Sequence, residues 1–301
     1  MDISLALGGG GARGYAHIGV LRRLEHEGFR IRAVAGTSAG GIIAAAYAAG
    51  RTPDELESIF SKLDQSKLFA RAVNDGPGIL GLSGAMKELE NVFGDSTFAD
   101  LHIPCGVVAV DIDEGIEIDL TEGRIVDALL ATGAVPGVFP PRSYGEMQLV
   151  DGAVLNPVPV SLARKLAPRL PIVAVVLEGH AKDSDGGLPG IPLPVSVPVP
   201  IVQRLTRTRV AQAFNIFLKS VDVGSRKLAE LRLLVDDPDV IIRPDVSGIG
   251  LLDPVDVHKV VRIGEIATDA VLPSLRRAVG WPNRFRQMMF PHREQHGTRF
   301  A

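Results

Sequence analysis

The segment RIRAVAGTSAGGIIAAAYAAG, residues 30–50, places a single serine, Ser38, between Gly36 and Gly40. The apolar run before the serine predicts a buried β-strand, and the alanine-rich run after it predicts a helix over residues 39–49. A serine at this junction suits either of two roles, an ordinary cap on a buried helix or a nucleophile on a sharp strand-to-helix turn. The small neighbours favour the nucleophile, because they let such a turn pack closely and leave the hydroxyl exposed.

Strands and helices alternate around this segment. Residues 3–7 predict a strand, and four glycines then lead into a helix predicted over residues 12–28. This alternation predicts an α/β fold in which a parallel sheet is covered by helices. Thr52, followed by Pro53, predicts the cap of a further helix. The other predicted elements are strands at residues 105–113, 115–123, 148–152, 172–179 and 240–244, of which the first two form a hairpin, a short helix that starts at residue 125 and stops before Pro136, and long helices at residues 209–235 and 253–279.

The composition excludes several classes of protein. Hydrophobic residues make up 46% of the chain and charged residues 22%, which is typical of a globular protein. The net charge of -3 argues against general nucleic-acid binding, because there is no basic excess to neutralise phosphates. Cys105 is the only cysteine, so no disulfide framework or thiolate metal cage is expected, and it is predicted to lie in the core. With neither a secretory signal nor a membrane-spanning stretch in the sequence, we expect a cytoplasmic protein.

Two segments are candidates for contact with a membrane surface. Residues 186–204 are rich in proline and predict a surface loop. The basic tail, residues 276–301, interleaves arginines with apolar side chains, which fits either an anionic membrane or plain solvation. A third cluster consists of carboxylates that alternate as in an exposed hairpin, so we expect them to be solvated rather than to bind a cation. These are Asp111, Asp113, Glu114, Glu117 and Asp119.

The glycine-rich turn GGGARG, residues 9–14, matches the pattern G-x-G-x-x-G between a strand and a helix. That context is typical of a dinucleotide site, but the fingerprint also requires an acidic residue at the end of the second strand. Here that strand ends in Gly-Thr-Ser, while Glu25 and Glu27 lie in the predicted helix. No Lys-Ser or Lys-Thr pair follows the glycines, so a phosphate-binding loop is not predicted either.

The same turn fits a different chemistry. Consecutive glycines at the start of a helix can direct backbone N–H groups toward one point and so bind negative charge. If that charge is the oxyanion of a tetrahedral intermediate, the turn is an oxyanion hole. Arg13, inside the turn, is suited to steady the loop or to attract an anionic substrate, unless it simply faces solvent.

A nucleophilic serine needs a base, and the histidines offer no obvious one. The histidine of a hydrolase triad would be expected late in the chain, yet no late histidine follows a predicted strand in a polar or glycine-rich loop. The late histidines are His180, His258, His292 and His296, and the early ones, predicted to be surface or packed residues, are His17, His26 and His102.

Asp151 is the alternative base. The apolar strand that ends in QLVDG would hold this aspartate at the sheet edge where Ser38 is also expected. Desolvation at that position would raise its proton affinity enough for it to act as a base. An ordinary turn aspartate that bonds its own backbone would leave the same pattern, and these residues alone do not choose between the two.

Taken in order, the motifs GGGARG, GTSAG and DGA resemble those of the patatin-like phospholipases, specifically the bacterial branch related to the catalytic part of neuropathy target esterase. The resemblance runs from LALGGGGARGYAHIGVL through ATGAVPGVFPP and LVDGAVLNPVPV to IIRPDVSGIGLLD, and so covers most of the chain. Three motifs in this order, each in its strand context, are far more specific than any one of them. Gly152-Ala153, in place of two glycines, is a variation that the family admits.

The resemblance implies a three-layer α/β/α fold with a mostly parallel central sheet, forming one domain over residues 1–275. It also implies a catalytic dyad without histidine, in which Ser38 is the nucleophile and Asp151 its base. Gly10 and Gly11 would supply the oxyanion N–H groups. The motif positions that support this site are Gly9, Arg13, Gly14, Gly36, Gly40 and Gly152.

The activity implied is hydrolysis of a lipid acyl ester through an acyl-serine, with no cofactor and no metal. Three other functions remain open at this point. Acyl transfer to another alcohol needs only that water lose the competition for the acyl-enzyme. A non-catalytic lipid-binding protein could use the same scaffold, although it would not need these motifs. A nicotinamide oxidoreductase is the last alternative.

Overall fold

The computed structural model describes residues 1–65, 68, 78, 80–177 and 209–280. The proline-rich segment 186–204 and the tail beyond residue 280 lie outside the described residues, as do His180, His292 and His296. The strands are β1 (Asp2–Leu7), β2 (Arg30–Thr37), β3 (Cys105–Asp111), β4 (Ile116–Leu120), β5 (Arg142–Tyr144), β6 (Met147–Asp151), β7 (Ile172–Val175) and β8 (Val240–Ile242). The helices are α1 (Ala16–His26), α2 (Ala39–Ala48), α3 (Pro53–Lys62), α4 (Ser83–Phe93), α5 (Ile125–Thr132), α6 (Val160–Leu166), α7 (Arg209–Asp236) and α8 (Val257–Ala278).

The strands form one sheet in the order β5-β6-β3-β2-β1-β7-β8, with β4 paired to β3. The pairs β3-β2, β2-β1, β1-β7 and β7-β8 are parallel. The pairs that β3 makes with β4 and β6, and the pair β5-β6, are antiparallel. The sheet is therefore mixed but mostly parallel, which confirms the fold class predicted from the alternation of strands and helices.

Helices cover both faces of the sheet. Side chains of β1 alternate between the two faces, with Ile3, Leu5 and Leu7 in one buried cluster and Ala6 in the other. The larger cluster also takes the apolar faces of α1, α2, α5 and α8, and the smaller one those of α6 and α7. Cys105 is buried as predicted. Burial on both faces explains why the central strands are nearly continuous apolar runs in the sequence.

Local signals located most elements, but not all. Thr52 caps α3 as predicted: its hydroxyl accepts a hydrogen bond from Glu55 N at 3.2 Å, and its own N–H donates to the Glu55 carboxylate at 2.8 Å. The helix predicted over residues 12–28 is divided into a 3₁₀ turn (Gly11–Tyr15) and α1. No sequence pattern predicted β5, α4 or α6. Arg276 and Arg277, expected in the basic tail, belong to α8.

The carboxylates of the β3-β4 hairpin correct one expectation. Asp113 and Glu114 are exposed as predicted, but Asp111 is buried. Glu117 pairs with Arg232 and also accepts a hydrogen bond from Asn156 Nδ2 at 2.7 Å. Asp119 pairs with Lys165 at 2.6 Å, so it too is not simply solvated. The partners lie on elements distant in sequence, which an alternation pattern does not reveal.

Candidate active site

Ser38 occupies a sharp turn between the last residue of β2 and the first residue of α2. Its backbone angles are φ 53° and ψ -125°, a region that residues with a side chain rarely adopt. The turn is closely packed, since a Cβ added to Gly40 would lie 2.2 Å from the Leu7 carbonyl oxygen. This is the strained strand-to-helix elbow that presents a serine hydroxyl at the end of a sheet.

Thr132, which no sequence pattern singled out, holds this turn in place. Ser38 N donates to Thr132 Oγ1 at 2.9 Å, and Thr132 Oγ1 donates to the Val108 carbonyl oxygen at 2.5 Å. Thr132 thus ties the elbow to β3 from the end of α5. The one available signal was a hydroxyl in the otherwise apolar end of this helix, within the motif ATGAVPGVFPP.

The sheet register brings Asp151 to Ser38. Two consecutive residues of β3 pair with different strands. Val108 pairs with Thr37 of β2, and Ala109 pairs with Asp151 of β6. Because β4 occupies the other edge of β3 over Val107–Asp111, β2 and β6 must share one edge, end to end. The two strands run toward each other, so the end of β6 reaches the end of β2. Ser38 and Asp151 therefore lie next to each other where β2 and β6 end.

The Asp151 carboxyl group is buried, and its residue is only 3% exposed. Burial raises the pKa of this carboxyl to about 6, although hydrogen bonds from Ser38 and from Ala153 N partly oppose the rise. The bond from Ala153 N to Oδ1 is 2.8 Å long, so the carboxylate also caps its own turn. A carboxylate with this pKa, in hydrogen-bond contact with a serine, is able to accept its proton near neutral pH.

The glycine turn packs directly against this pair. A Cβ added to Gly9 would lie 3.4 Å from Ser38 Cβ and 3.6 Å from Ala153 Cβ. Gly9 N donates to the Pro157 carbonyl oxygen at 2.9 Å. In the described part of the chain, the next two N–H groups, those of Gly10 and Gly11, donate to no other residue. An oxyanion hole is built from backbone donors of this kind.

Several of the motif glycines leave no room for a side chain. Gly11 has φ +55°, and a Cβ there would lie 2.0 Å from the carbonyl oxygen of Leu251. Three further motif glycines also have close neighbours, at 2.6 Å or less from an added Cβ: Ala39 for Gly14, Gly40 for Gly36 and Val108 for Gly152. These glycines let backbone segments approach one another around the serine.

Arg13 steadies the glycine turn rather than facing solvent. It is 3% exposed, its Nε donates to the Ile249 carbonyl oxygen at 2.7 Å, and its Nη1 pairs with Asp222 at 3.2 Å. Ala12 N donates to the Leu251 carbonyl oxygen at 2.9 Å. The turn is thereby fixed to the loop before α8 and to α7. The alternative that Arg13 simply faces solvent was therefore wrong. The residues around Arg13 do not reveal its partners, because these lie more than 200 positions away.

His17 supports the turn from below. The ring is fully buried, its Nε2 lies 2.8 Å from the Gly8 carbonyl oxygen, and burial lowers its pKa to about 4. A neutral ring therefore donates to Gly8 O near neutral pH. His258 contacts Glu57 and His26 contacts Arg23. Among the histidines that the structure describes, none hydrogen bonds to Ser38.

Among the described residues, no cluster of three or more histidine, cysteine or carboxylate side chains is arranged to bind a metal ion. Among the helices of the described residues, none is both long and apolar enough to cross a bilayer.

Known proteins share this architecture. The model of the patatin-like phospholipase family matches residues 5–164. Among solved structures, VipD from Legionella pneumophila is similar in fold, with a TM-score of 0.56 over 91% of this chain and 66% of that chain at 14% identity. Residues 5–164, which the family model matches, contain all three motifs of the site.

Relatives in sequence include NTE family proteins and a patatin-like phospholipase domain-containing protein. An uncharacterized NTE family protein of Mycobacterium tuberculosis is 35% identical over 162 residues, which are 53% of this chain and 44% of that protein. A second one is 30% identical over 278 residues, 90% of this chain and 46% of that protein. Patatin-like phospholipase domain-containing protein 6 of Mus musculus is 31% identical over 56% of this chain and 13% of that protein. The chain thus spans less than half the length of these relatives.

Proposed function

Because the chain belongs to the patatin-like phospholipase family, we propose that it is a serine hydrolase of lipid carboxylic esters, with Ser38 as nucleophile and Asp151 as its base. One observation carries the proposal. At the shared edge of β3, a serine in a strained elbow meets a buried carboxyl group whose pKa is raised to about 6. Neither strain nor a buried charge benefits a protein that only needs a stable fold.

The first chemical step follows from the protonation states. Near neutral pH the Asp151 carboxylate is ionised and accepts the hydroxyl proton of Ser38 as Oγ attacks the ester carbonyl carbon. Burial makes this transfer easier, because a desolvated carboxylate has a higher proton affinity than one in water. The N-terminus of α2, directly after Ser38, adds a favourable dipole for the negative charge that develops.

The negative charge that develops on the carbonyl oxygen needs donors. The N–H groups of Gly10 and Gly11 are assigned to this task, since they follow Gly9, which packs on Ser38, and they have no partner among the described residues. Arg13 and His17 hold the turn and thus set the direction of these donors. One donor of this kind typically accounts for about 3–4 kcal/mol of barrier.

The cycle closes with the same two side chains. Asp151, now protonated, gives its proton to the departing alcohol, which leaves the acyl group on Ser38. Water then loses a proton to Asp151 and attacks the acyl carbon, and Ser38 regains its proton as the fatty acid leaves. No step requires a histidine.

His17 gives a prediction about positioning. His17→Ala removes the donor to Gly8 O and is expected to lower kcat by about tenfold or more, with little change in KM, because the oxyanion donors lose their alignment. His17→Gln keeps an N–H near the same place and should recover most of the activity. Steady-state kinetics on an ester, with circular dichroism as the folding check, would settle this. A folded His17→Ala protein with normal kcat would contradict the assigned role.

The proposal itself is tested by turnover. The purified chain, with chelator present and no cofactor added, is expected to release free fatty acid from p-nitrophenyl esters and from a monoacyl phosphatidylcholine. Fatty acid is measured by mass spectrometry and p-nitrophenol by absorbance. A folded protein that turned over none of these esters at any chain length would contradict the proposal.

A further inference from the structure

Two cavities meet at Ser38. The larger, of about 470 Å³, is lined mainly by side chains of α2, α3, α4 and α5, and we call it the apolar cavity. The smaller, of about 210 Å³, lies between the glycine turn, the segment after β6 and α7, and we call it the Asp151 cavity. An ester bound at Ser38 has two arms, the acyl chain and the alcohol, so each cavity is suited to hold one of them.

The position of the base decides which arm goes where. Among the described lining residues, Asp151 borders the smaller cavity and is absent from the larger one. The proton that Ser38 gives up is held on Asp151 and must next reach the oxygen of the departing alcohol. That oxygen must therefore lie on the side of Asp151, and the acyl chain is left with the other cavity.

The side chains of the two walls agree with this assignment. The apolar cavity is lined by hydrophobic residues, among them Ile42, Phe60, Ala85, Leu129 and Phe139. Such a wall gains free energy with every methylene group that leaves water. The Asp151 cavity also has apolar walls, but a larger part of its surface is polar, and Lys219, Asp222 and Arg226 are among its lining residues. A polar or charged alcohol meets partners there that an acyl chain does not need.

We propose that the apolar cavity binds the acyl chain and the Asp151 cavity binds a polar alcohol, so that Ile42 and Ala85 set the preference for chain length. This inference rests on the proposed function. The Ser38 Oγ–acyl bond forms as the acyl–alcohol bond breaks, and the serine proton travels through Asp151 to the alcohol. Water then supplies the hydroxyl of the fatty acid and returns a proton to Ser38 by the same route.

The wild-type protein should show the length dependence of an apolar binding site. Each added methylene is expected to raise kcat/KM by up to about fourfold until the cavity is full. The quantity to measure is the ratio of kcat/KM for a hexadecanoyl ester to that for a butanoyl ester of p-nitrophenol. Ile42 lies one helical turn after Ser38 and Ala85 lies on α4, so substitutions at the two positions enter the cavity from different helices.

Ile42→Trp and Ala85→Trp are each expected to lower that ratio at least tenfold. Val154→Trp is the matched control, because Val154 lines the Asp151 cavity and is 40% exposed. It should change the ratio less than twofold, while lowering turnover of a monoacyl phosphatidylcholine relative to the p-nitrophenyl ester of the same acyl chain. The opposite pattern, in which Val154→Trp shifts the chain-length ratio and the other two do not, would overturn the assignment.

A binding assay separates this inference from the proposed function. In the Ser38→Ala background, cis-parinaric acid, a fluorescent fatty acid, is expected to bind, with affinity lowered at least fivefold by Ile42→Trp and less than twofold by Val154→Trp. If this pattern is seen but the wild type hydrolyses no ester, the cavity assignment stands and the hydrolase proposal fails. If esters are hydrolysed but both substitutions lower the affinity for the fatty acid equally, the cavity assignment fails and the hydrolase proposal stands.

Discussion

Ser38→Ala is expected to lower kcat/KM for a long-chain ester by at least about 10³-fold, because it removes the atom to which the acyl group is transferred. Residual activity would come from the oxyanion donors and from binding, which remain. The folded state should be preserved, since alanine has the same backbone strain at φ 53° and the side chain loses a single atom.

The matched control is Ser143→Ala, on β5, whose exposed hydroxyl accepts a hydrogen bond from Gln148 and lies outside the site. It should keep activity within about twofold of wild type, as surface substitutions usually do. Ester hydrolysis by both variants, together with thermal unfolding, makes the comparison. If Ser38→Ala retained more than a tenth of wild-type activity, another residue would have to be the nucleophile.

Asp151→Asn is expected to lower kcat/KM by about 10³-fold, within the range that general acid–base catalysis contributes. The same substitution should stabilise the protein above pH 6. The pKa of this carboxyl rises from its usual 3.8 to about 6 on folding, so the folded protein favours the protonated form. At higher pH the ionised carboxylate therefore costs the wild type up to about 3 kcal/mol of stability, which asparagine avoids.

The pH dependence of that gain has a definite sign. Asp151 binds its proton more tightly in the folded state, so its contribution to wild-type stability is full below pH 3.8 and is lost as pH rises through about 6. The advantage of Asp151→Asn should therefore be largest at pH 8 and vanish near pH 4. Denaturant unfolding at both pH values measures it, with Asp113→Asn on the exposed hairpin as a control. An Asp151→Asn protein that is fully active, or less stable at pH 8 than at pH 4 relative to wild type, would contradict this account.

Local patterns were sufficient where one residue and its neighbours decide the structure. The elbow at Ser38 could be predicted because a β-branched run, two glycines and an alanine-rich run are contiguous. The glycine turn was recognised for the same reason, and the capping box of α3 needs only Thr52 and Glu55. The parallel sheet followed from the order of these elements.

Contacts between distant segments could not be predicted in this way. Thr132 reaches Ser38 N across 94 positions, and Arg13 reaches Ile249 across 236. Nothing in the residues around either one indicates its partner. Asp151 was undecided in the sequence because a turn aspartate and a buried base leave the same local pattern. The register on β3 brings the carboxyl group to the serine, because Asp151 pairs with Ala109 and Thr37 pairs with the adjacent residue, Val108.

The histidines illustrate the same limit. His17 was expected to be a packed or surface residue, and it is packed, but its contact with Gly8 O gives it a place beneath the glycine turn. Helical spacing showed only that it lies in the first helix. The unusual feature, a fully buried ring that stays neutral, depends on α1 and β1 meeting in three dimensions.

The central claim, that Asp151 activates Ser38, is tested most directly by the pH dependence of labelling with an alkyl fluorophosphonate, which reacts with activated serines. We predict a phosphonyl adduct on the peptide that contains Ser38, with a rate constant that rises as pH increases through about 6 and then levels off, because Asp151 must be ionised to take the proton. Asp151→Asn should react slowly and without that rise. An adduct on another residue, or an unchanged pH profile in Asp151→Asn, would contradict the dyad.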